Sequence, residues 1–297
     1  MDEISWDDAR VFLAVAERGS FSGAALELQI GQPTVSRRIA RLEEELGCAL
    51  FHRGRRGTEL TAQGERMLPS AQQMARWSAM MRAAASGEEA VEGRVTIAAP
   101  PGVAYDVITP FAARLREREP GVWIELLSSI DYVDLTRGAA DFAVRTKPAT
   151  EPALVTVATV EVEVKAYATR GYVEGLEEGW VAGDLDWICW GRPYLHLSPR
   201  PELEELFPGF SPSFEASDYM SQVRACELGM GVMWLPVMRY PGVPTRELVE
   251  LDVGLPRVVS ESYIVCARSM REVPRVRAVL DALLEDIEAF MGSVQSE

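Results

Sequence analysis

The first fifty residues carry three short runs of apolar positions at helical spacing. Trp6, Val11, Phe12, Val15 and Ala16 make one face of a helix over residues 6–18, which Gly19 can end. Ser20 or Ser22 can cap a second helix running through Ala24, Ala25 and Leu28. After a turn at Ile30-Gly31, Pro33 falls in the first turn of a third helix, where its missing N–H costs nothing. That helix is apolar at Val35, Ile39, Leu42 and Leu46 and is terminated by Gly47. Its other face carries Gln32, Thr34, Ser36, Arg37, Arg38 and Arg41. The pattern then predicts a hairpin over residues 49–61, with Leu50 and Phe51 in one arm and Glu59-Leu60-Thr61 in the other. Its tip is Arg53-Gly54-Arg55-Arg56-Gly57, where glycine permits positive φ and close approach to another backbone. Three helices and such a hairpin make a winged helix-turn-helix.

Residues 62–86 read as a long helix. Met67, Ala71, Met74, Ser78, Met81 and Ala85 are spaced alternately by four and three, a heptad seam suited to a partner helix from a second chain. Pro69 is expected to kink its first turns, and Ala83–Gly87 to loosen into a hinge. From Gly93 strands alternate with helices. Strands are predicted at 94–99, 122–127, 142–144, 154–168, 186–190, 231–235, 248–251 and 262–267. Helices are predicted up to Arg118 after Pro100-Pro101-Gly102, at 131–138, at 217–229, and from Val273 to Met291. This alternation indicates α/β architecture with a parallel sheet.

Composition narrows the function. The net charge of −15 argues against nucleic acid until its distribution is considered. Residues 1–90 hold 11 Arg against 13 Asp or Glu, a net of −2, and the remainder carries −13. Arg37, Arg38 and Arg41 form one basic cluster and Arg53, Arg55 and Arg56 another, while Asp7, Asp8 and Glu43-Glu44-Glu45 lie elsewhere in the chain. Local basic patches suffice for phosphate contacts, and the acidic remainder limits non-specific adhesion to DNA. The four cysteines, Cys48, Cys189, Cys226 and Cys266, are widely spaced and form no metal motif, so no metal is expected. They read as buried structural thiols or, alternatively, as a redox-sensing pair. His52 and His196 are isolated, and no GxSxG, P-loop or dinucleotide fingerprint occurs, so an enzyme is not expected. The acidic amino terminus lacks signal-peptide features and no apolar run reaches membrane-span length, which predicts a cytoplasmic protein without membrane contact.

Residues 4–64 resemble the LysR-type transcriptional regulators. The resemblance rests on Phe12–Ala16, Gly19-Ser20-Phe21, Ala24-Ala25 with Leu28, Gln32-Pro33-Thr34-Val35-Ser36, Ile39, Leu42-Glu43, Leu46-Gly47, Leu50-Phe51, Arg53 and Leu60-Thr61 with Gly64. It extends more loosely to Arg137–Arg145 and Leu228–Pro236. The resemblance implies a winged helix-turn-helix DNA-binding domain at 1–61, a dimerising linker helix at 62–90 and an effector-binding domain at 91–297. That last domain would have two lobes like periplasmic binding proteins, lobe I at about 91–164 and 268–297 and lobe II at about 165–267. It implies a homodimer or homotetramer on double-stranded promoter DNA, with a small-molecule effector changing promoter binding or DNA bend and with RNA polymerase as a possible partner. No cofactor is implied.

By motif, Gln32, Pro33, Thr34, Ser36, Arg37 and Arg38 match the recognition-helix positions. Gln32 suits a bidentate contact to adenine, Pro33 and the Thr34 methyl suit a thymine methyl, and Arg37 and Arg38 suit guanine or phosphate. Ser36 suits phosphate. Arg53, Arg55 and Arg56 suit phosphate or minor-groove contacts from the wing. Arg41 is expected to pair with Glu45 at i+4. Gly31 stands where the family has Ser or Thr, at a cost of a few tenths of a kcal/mol in capping and one hydroxyl.

An effector between the lobes would meet strand C-termini and helix N-termini. The candidates are Pro100, Pro101, Gly102, Val103, Ser128, Ser129, Arg145, Thr146, Gly191, Ser217 and Asp218. Pro100-Pro101 replaces the hydroxyl residue that carboxylate-sensing relatives place there, which weakens anion capture. Arg145 is either an anion partner or a structural ion pair. Trp187, Trp190, Tyr194 and Trp234 either line the cleft or sit in the core. An effector-independent or thiol-responsive regulator of the same fold is the alternative reading.

Overall fold

The computed structural model describes residues 4–54, 57–86, 91–237 and 246–294; the side chains of residues 53, 76, 79, 80, 82–86 and 290–294 also lie outside that description. The chain divides into two compact units, one of the first ninety residues with Asp134–Ala139 and the other of the rest.

The first unit contains α1 (Trp6–Arg18), α2 (Phe21–Leu28), α3 (Gln32–Leu46), a hairpin of β1 (Phe51–Gly54) and β2 (Gly57–Leu60), and α4 (Ala62–Ser86). Gly19 and Gly47, both at positive φ, end α1 and α3 as expected. The Ser20 hydroxyl accepts the Gly23 N–H at 3.1 Å and caps α2. Val11, Phe12, Val15, Ala24, Val35, Ile39, Leu42, Leu50 and Phe51 form one core, with the Phe12 and Phe51 rings 5.3 Å apart. Thr61 ties the wing to α4: its hydroxyl donates to the Ala49 carbonyl at 2.7 Å and accepts the Gly64 N–H at 3.1 Å. A Cβ at Gly64 would lie 2.3 Å from the Leu50 carbonyl oxygen, which is why only glycine fits there. Helix α4 stays continuous across Pro69 to Ser86, and the expected hinge reaches Gly87, outside the described residues.

The second unit opens with β3 (Gly93–Ala99), α5 (Pro101–Val103), a π-turn (Ala104–Ile108) and α6 (Thr109–Arg118), followed by β4 (Val122–Ser128). Next come β5 (Phe142–Arg145), β6 (Leu154–Thr169), α7 (Arg170–Glu174), β7 (Ile188–Trp190), α8 (Arg200–Leu206), β8 (Phe214–Ala216), α9 (Tyr219–Glu227), β9 (Met233–Pro236), β10 (Leu248–Leu251), β11 (Val258–Ala267), α10 (Arg268–Arg271) and α11 (Pro274–Val294). Seven strands form one sheet in the order β10-β6-β11-β5-β3-β4, with β9 also on β6. The sheet is mixed rather than parallel. β3 runs parallel to β4 and β5, but β11 is antiparallel to β5 and β6, and β6 is antiparallel to β9 and β10. Alternating strands and helices cannot reveal this, because the long 16-residue β6 and the returning β11 pair directly.

Strand β6 passes from lobe I into lobe II, and β11 pairs with it and with β5. In lobe I α6 packs on β4 and α11 on β3 and α6, with Ile97, Phe111, Leu115, Phe142, Val279 and Leu283 buried. Lobe II has cores around Trp187 and around Ile188, Val223 and Cys226. The expected helix at 131–138 is only a 3₁₀ turn at Leu135–Arg137, whereas α7, α8 and β8 are additions to the predicted elements. Their runs are short and polar-rich, and packing rather than periodicity defines them.

The Gly229-x-Gly231 motif has a local cause. A Cβ at Gly231, whose φ is 154°, would lie 1.9 Å from the Asp186 carbonyl oxygen, which accepts the Val232 N–H at 2.8 Å. Gly231→Ala is therefore expected to cost about 1–3 kcal/mol by forcing a backbone shift. Thermal unfolding of the full chain checks this, and a wild-type melting curve would refute it.

Candidate DNA-reading surface and effector cleft

Helix α3 docks through buried Val35, Ile39 and Leu42 and turns Gln32, Pro33 and Arg37 to solvent, with Thr34 and Ser36 half-exposed. Gly31 is its N-cap at φ −68°, a conformation open to any residue, and no side chain caps the helix there. The helix is held by acids that lie far from it in sequence. Arg38 approaches Asp8 at 3.3 Å and Asp7 at 3.4 Å, and Arg41 pairs with Asp8 and, at 3.3 Å, with Glu45. The Asp8 side chain is wholly buried. So Arg38, expected on the DNA face, is half-buried and anchors α3 to α1. Arg37 is exposed and has no ion-pair partner among the described residues.

The carboxylate of Glu43 accepts the backbone N–H of Leu50 at 2.7 Å and of Phe51 at 3.2 Å, so the end of α3 positions the start of the wing. Sequence reasoning missed Asp8 and Glu43 as functional supports. Asp8 had a readable signal: it lies three and four residues before Val11 and Phe12, on the buried stripe of α1, where a carboxylate must find a partner. Arg53 belongs to β1, but its side chain lies outside the described residues, as do Arg55 and Arg56 altogether.

The heptad seam of α4 is split. Ala71 is buried in the unit's own core, with Met67, Leu68 and Ala75 packed on it, because the first turns of α4 dock against α1. Met67 and Ala71 are thus not part of an open seam. Met74 and Ser78 are half-buried, Met81 is 74% exposed, Trp77 is also exposed, and Ala85 lies outside the described side chains.

In the second unit Pro100 and Pro101 begin α5 and bring no N–H to the cleft. Gly102 and Val103 are half-buried; Ser128, Thr146, Ser217 and Asp218 are exposed. Several expected donors are already used. The Ser129 N–H donates to the Ala99 carbonyl and that of Gly191 to the Ala216 carbonyl. Asp218 caps α9 by accepting the Ser221 N–H at 2.8 Å, and these bonds hold its carboxyl below the usual carboxylate range. Arg145 takes the structural alternative. It is 5% exposed, donates to the Val133 carbonyl at 2.9 Å, lies 5.1 Å over the Tyr132 ring and comes within 3.9 Å of Glu151. Trp187 is fully buried and donates its Nε1–H to the Ala182 carbonyl, with Trp234 packed edge-on against it at 6.2 Å. Trp190 and Tyr194 meet edge-on at 5.9 Å.

Burial pushes the thiols of Cys189 and Cys226 up to about 12 and raises that of Cys266 as well. Thiolate, the reactive form, is scarce at neutral pH under those conditions. In the native chain at pH 8, a thiol-reactive chromogenic disulfide is expected to leave all three unmodified; rapid native labelling of any of them would revive the redox-sensing alternative. Among the described residues no group of three or more His, Cys, Asp or Glu is placed to hold a metal ion, and no helix is long and apolar enough to cross a membrane.

A helix-turn-helix unit whose third helix presents an open arginine, carried in one chain with a two-lobed α/β unit, defines the class of ligand-responsive DNA-binding proteins. Residues 6–65 match the bacterial regulatory helix-turn-helix protein family of lysR type, and residues 88–288 match the LysR substrate binding domain. The chain belongs to the LysR family of bacterial transcriptional regulators. It is a DNA-binding regulator with an effector-binding domain. It is 27% identical to the probable HTH-type transcriptional regulator LrrA of Synechococcus elongatus over 281 residues, 92% of this chain and 94% of that protein. ShiR of Corynebacterium glutamicum is 35% identical over 159 residues, about half of each chain (52% and 53%). Among solved structures, a full-length cysteine variant of OxyR from Pseudomonas aeruginosa shares the fold with a TM-score of 0.69 at 19% identity, covering 97% of this chain and 95% of that one. Full-length CbnR in complex with its target DNA gives 0.60 at 19% identity, covering 96% and 99%.

Proposed function

We propose that this regulator reads promoter DNA with Gln32, Pro33, Thr34, Ser36 and Arg37 on α3, and that Arg38 contributes chiefly by holding α3 in place. The observation that carries this reading is the split among the α3 arginines: Arg37 is open to solvent, while Arg38 and Arg41 are tied to buried Asp8. The wing arginines Arg53, Arg55 and Arg56 add phosphate or minor-groove contacts. A mobility shift on the DNA upstream of its own gene tests the reading. Binding should weaken steeply with salt, because each phosphate neutralised releases counterions. No salt-dependent shift on that DNA or on any promoter fragment would overturn it.

The domain division is proposed as 1–61 for DNA binding, 62–90 for the linker and 91–297 for the effector domain, with lobe II at about 165–267. Two copies pair through the open part of α4 around Trp77 and Met81 and assemble further into a tetramer, so that two readers address one interrupted palindrome. Contact with RNA polymerase, a cytoplasmic location and the absence of catalysis belong to the same reading. The effector enters between the lobes near Gly102, Ser128, Thr146 and Ser217. It is not a simple carboxylate, since two prolines, a self-capped α9 and an occupied Ser129 amide leave few donors for an anion.

A further inference from the structure

Side chains of the two lobes meet at Asp106. Asp106 lies in the π-turn of lobe I, where the Thr109 N–H reaches back five residues to the Ala104 carbonyl. A π-turn inserts one residue into a helix and is frequent at functional positions. Both carboxylate oxygens of Asp106 are taken by lobe II. The Tyr219 hydroxyl donates to Oδ2 at 2.6 Å and Arg246 Nη2 donates to Oδ1 at 2.6 Å. Tyr219 is only 6% exposed, and its ring lies over Gly102, where a Cβ would come within 3.3 Å of it. Arg246 is held further by Glu227 at 3.8 Å and lies 5.6 Å over the Tyr105 ring. Burial beside the Asp106 carboxylate raises the Tyr219 phenol far above its ordinary value, so the hydroxyl remains a donor throughout the physiological range.

We propose that Asp106, Tyr219 and Arg246 form an interlobe latch that fastens the effector domain in one lobe arrangement without a ligand, and that an effector acts by displacing Tyr219 from Gly102 and so releasing it. The regulatory consequence rests on the effector-binding reading; the latch itself is tested apart from DNA. The ligand class follows from what the latch occupies. An effector must replace a phenol ring over Gly102 and a hydroxyl donor to Asp106. It is therefore a planar, mostly apolar molecule carrying a hydroxyl or amine donor.

Electron–electron distance measurement decides the matter. Spin labels go at Arg116→Cys in lobe I and Leu206→Cys in lobe II, both exposed positions, in the full chain carrying Cys48→Ser. Labelled chains are diluted into unlabelled ones so that only intrachain distances are read. The ligand-free protein should give one narrow distribution, and Asp106→Ala should broaden it or add a second population. Arg246→Met, which keeps most of the side chain's length and removes its charge, should do the same, which a packing role alone would not do. A folded Asp106→Ala with the wild-type distribution overturns the latch, as does a folded Arg246→Met with the wild-type distribution. If Asp106→Ala fails to fold, Tyr219→Phe, which keeps the ring and loses only the hydroxyl, decides by the same criterion.

Discussion

Replacing Arg38 and Arg41 together by Ala is expected to destabilise the amino-terminal unit, because a buried carboxylate loses its cations, with the loss moderated by the solvent exposure of both guanidinium groups. Asp8 is the carboxylate, buried completely, and among the described residues those two arginines form ion pairs with it. Either single substitution should cost less, because the other guanidinium remains. Hydrogen exchange on the full chain reads the effect as lost protection of α1 and α3 amides, without assuming that the two units unfold together. Adding Asp8→Asn to the double variant should recover part of the loss, since it removes the stranded charge. Unchanged protection in the double variant would show that Asp8 is satisfied in some other way.

Arg37→Ala should do the reverse: leave the protection of α1 and α3 as it is and weaken DNA binding about 10- to 100-fold, the 1–3 kcal/mol range of a good arginine contact. The manner of the loss identifies the contact. If Arg37 reads a base edge, preference relaxes at one base pair of the operator. If it neutralises a phosphate, affinity falls for all sequences and the salt slope drops by about 1. Wild-type affinity in this variant would remove Arg37 from the reading face. The pair of experiments separates two roles that adjacent residues of like chemistry hide from each other in the sequence.

The third helix is legible in the sequence because local rules agree over residues 20–47. The Ser20 cap, Pro33 in the first turn, the aliphatic stripe from Val35 to Leu42 and the terminating Gly47 each follow from chemistry within one or two turns. What escapes is long-range. Arg38 and Asp8 are thirty positions apart, so a basic patch in sequence becomes an ion-paired anchor in space. Asp106 meets partners 113 and 140 positions away, and no period or motif links them. Arg145 sits where an anion partner would be expected, yet the loop carrying Tyr132 and Val133 folds over it. The heptad spacing of α4 marks a stripe of apolar and small residues, but spacing alone does not say which of them meet the same chain. Met67 and Ala71 do, while Met81 is largely exposed.

Strands β6 and β11 pair along ten positions, from Val258 opposite Val164 to Ala267 opposite Leu154, with one register shift at Ile264/Val265. Two lobes joined by loops would swing freely. Here they are joined by a hydrogen-bonded ribbon, so one lobe can turn against the other only by twisting a ladder that resists shear. Twisting such a ladder strains every paired position, and the one register shift, at Ile264/Val265, is where the regular pairing is interrupted. A change of angle between the lobes is accordingly a change of twist in these paired strands.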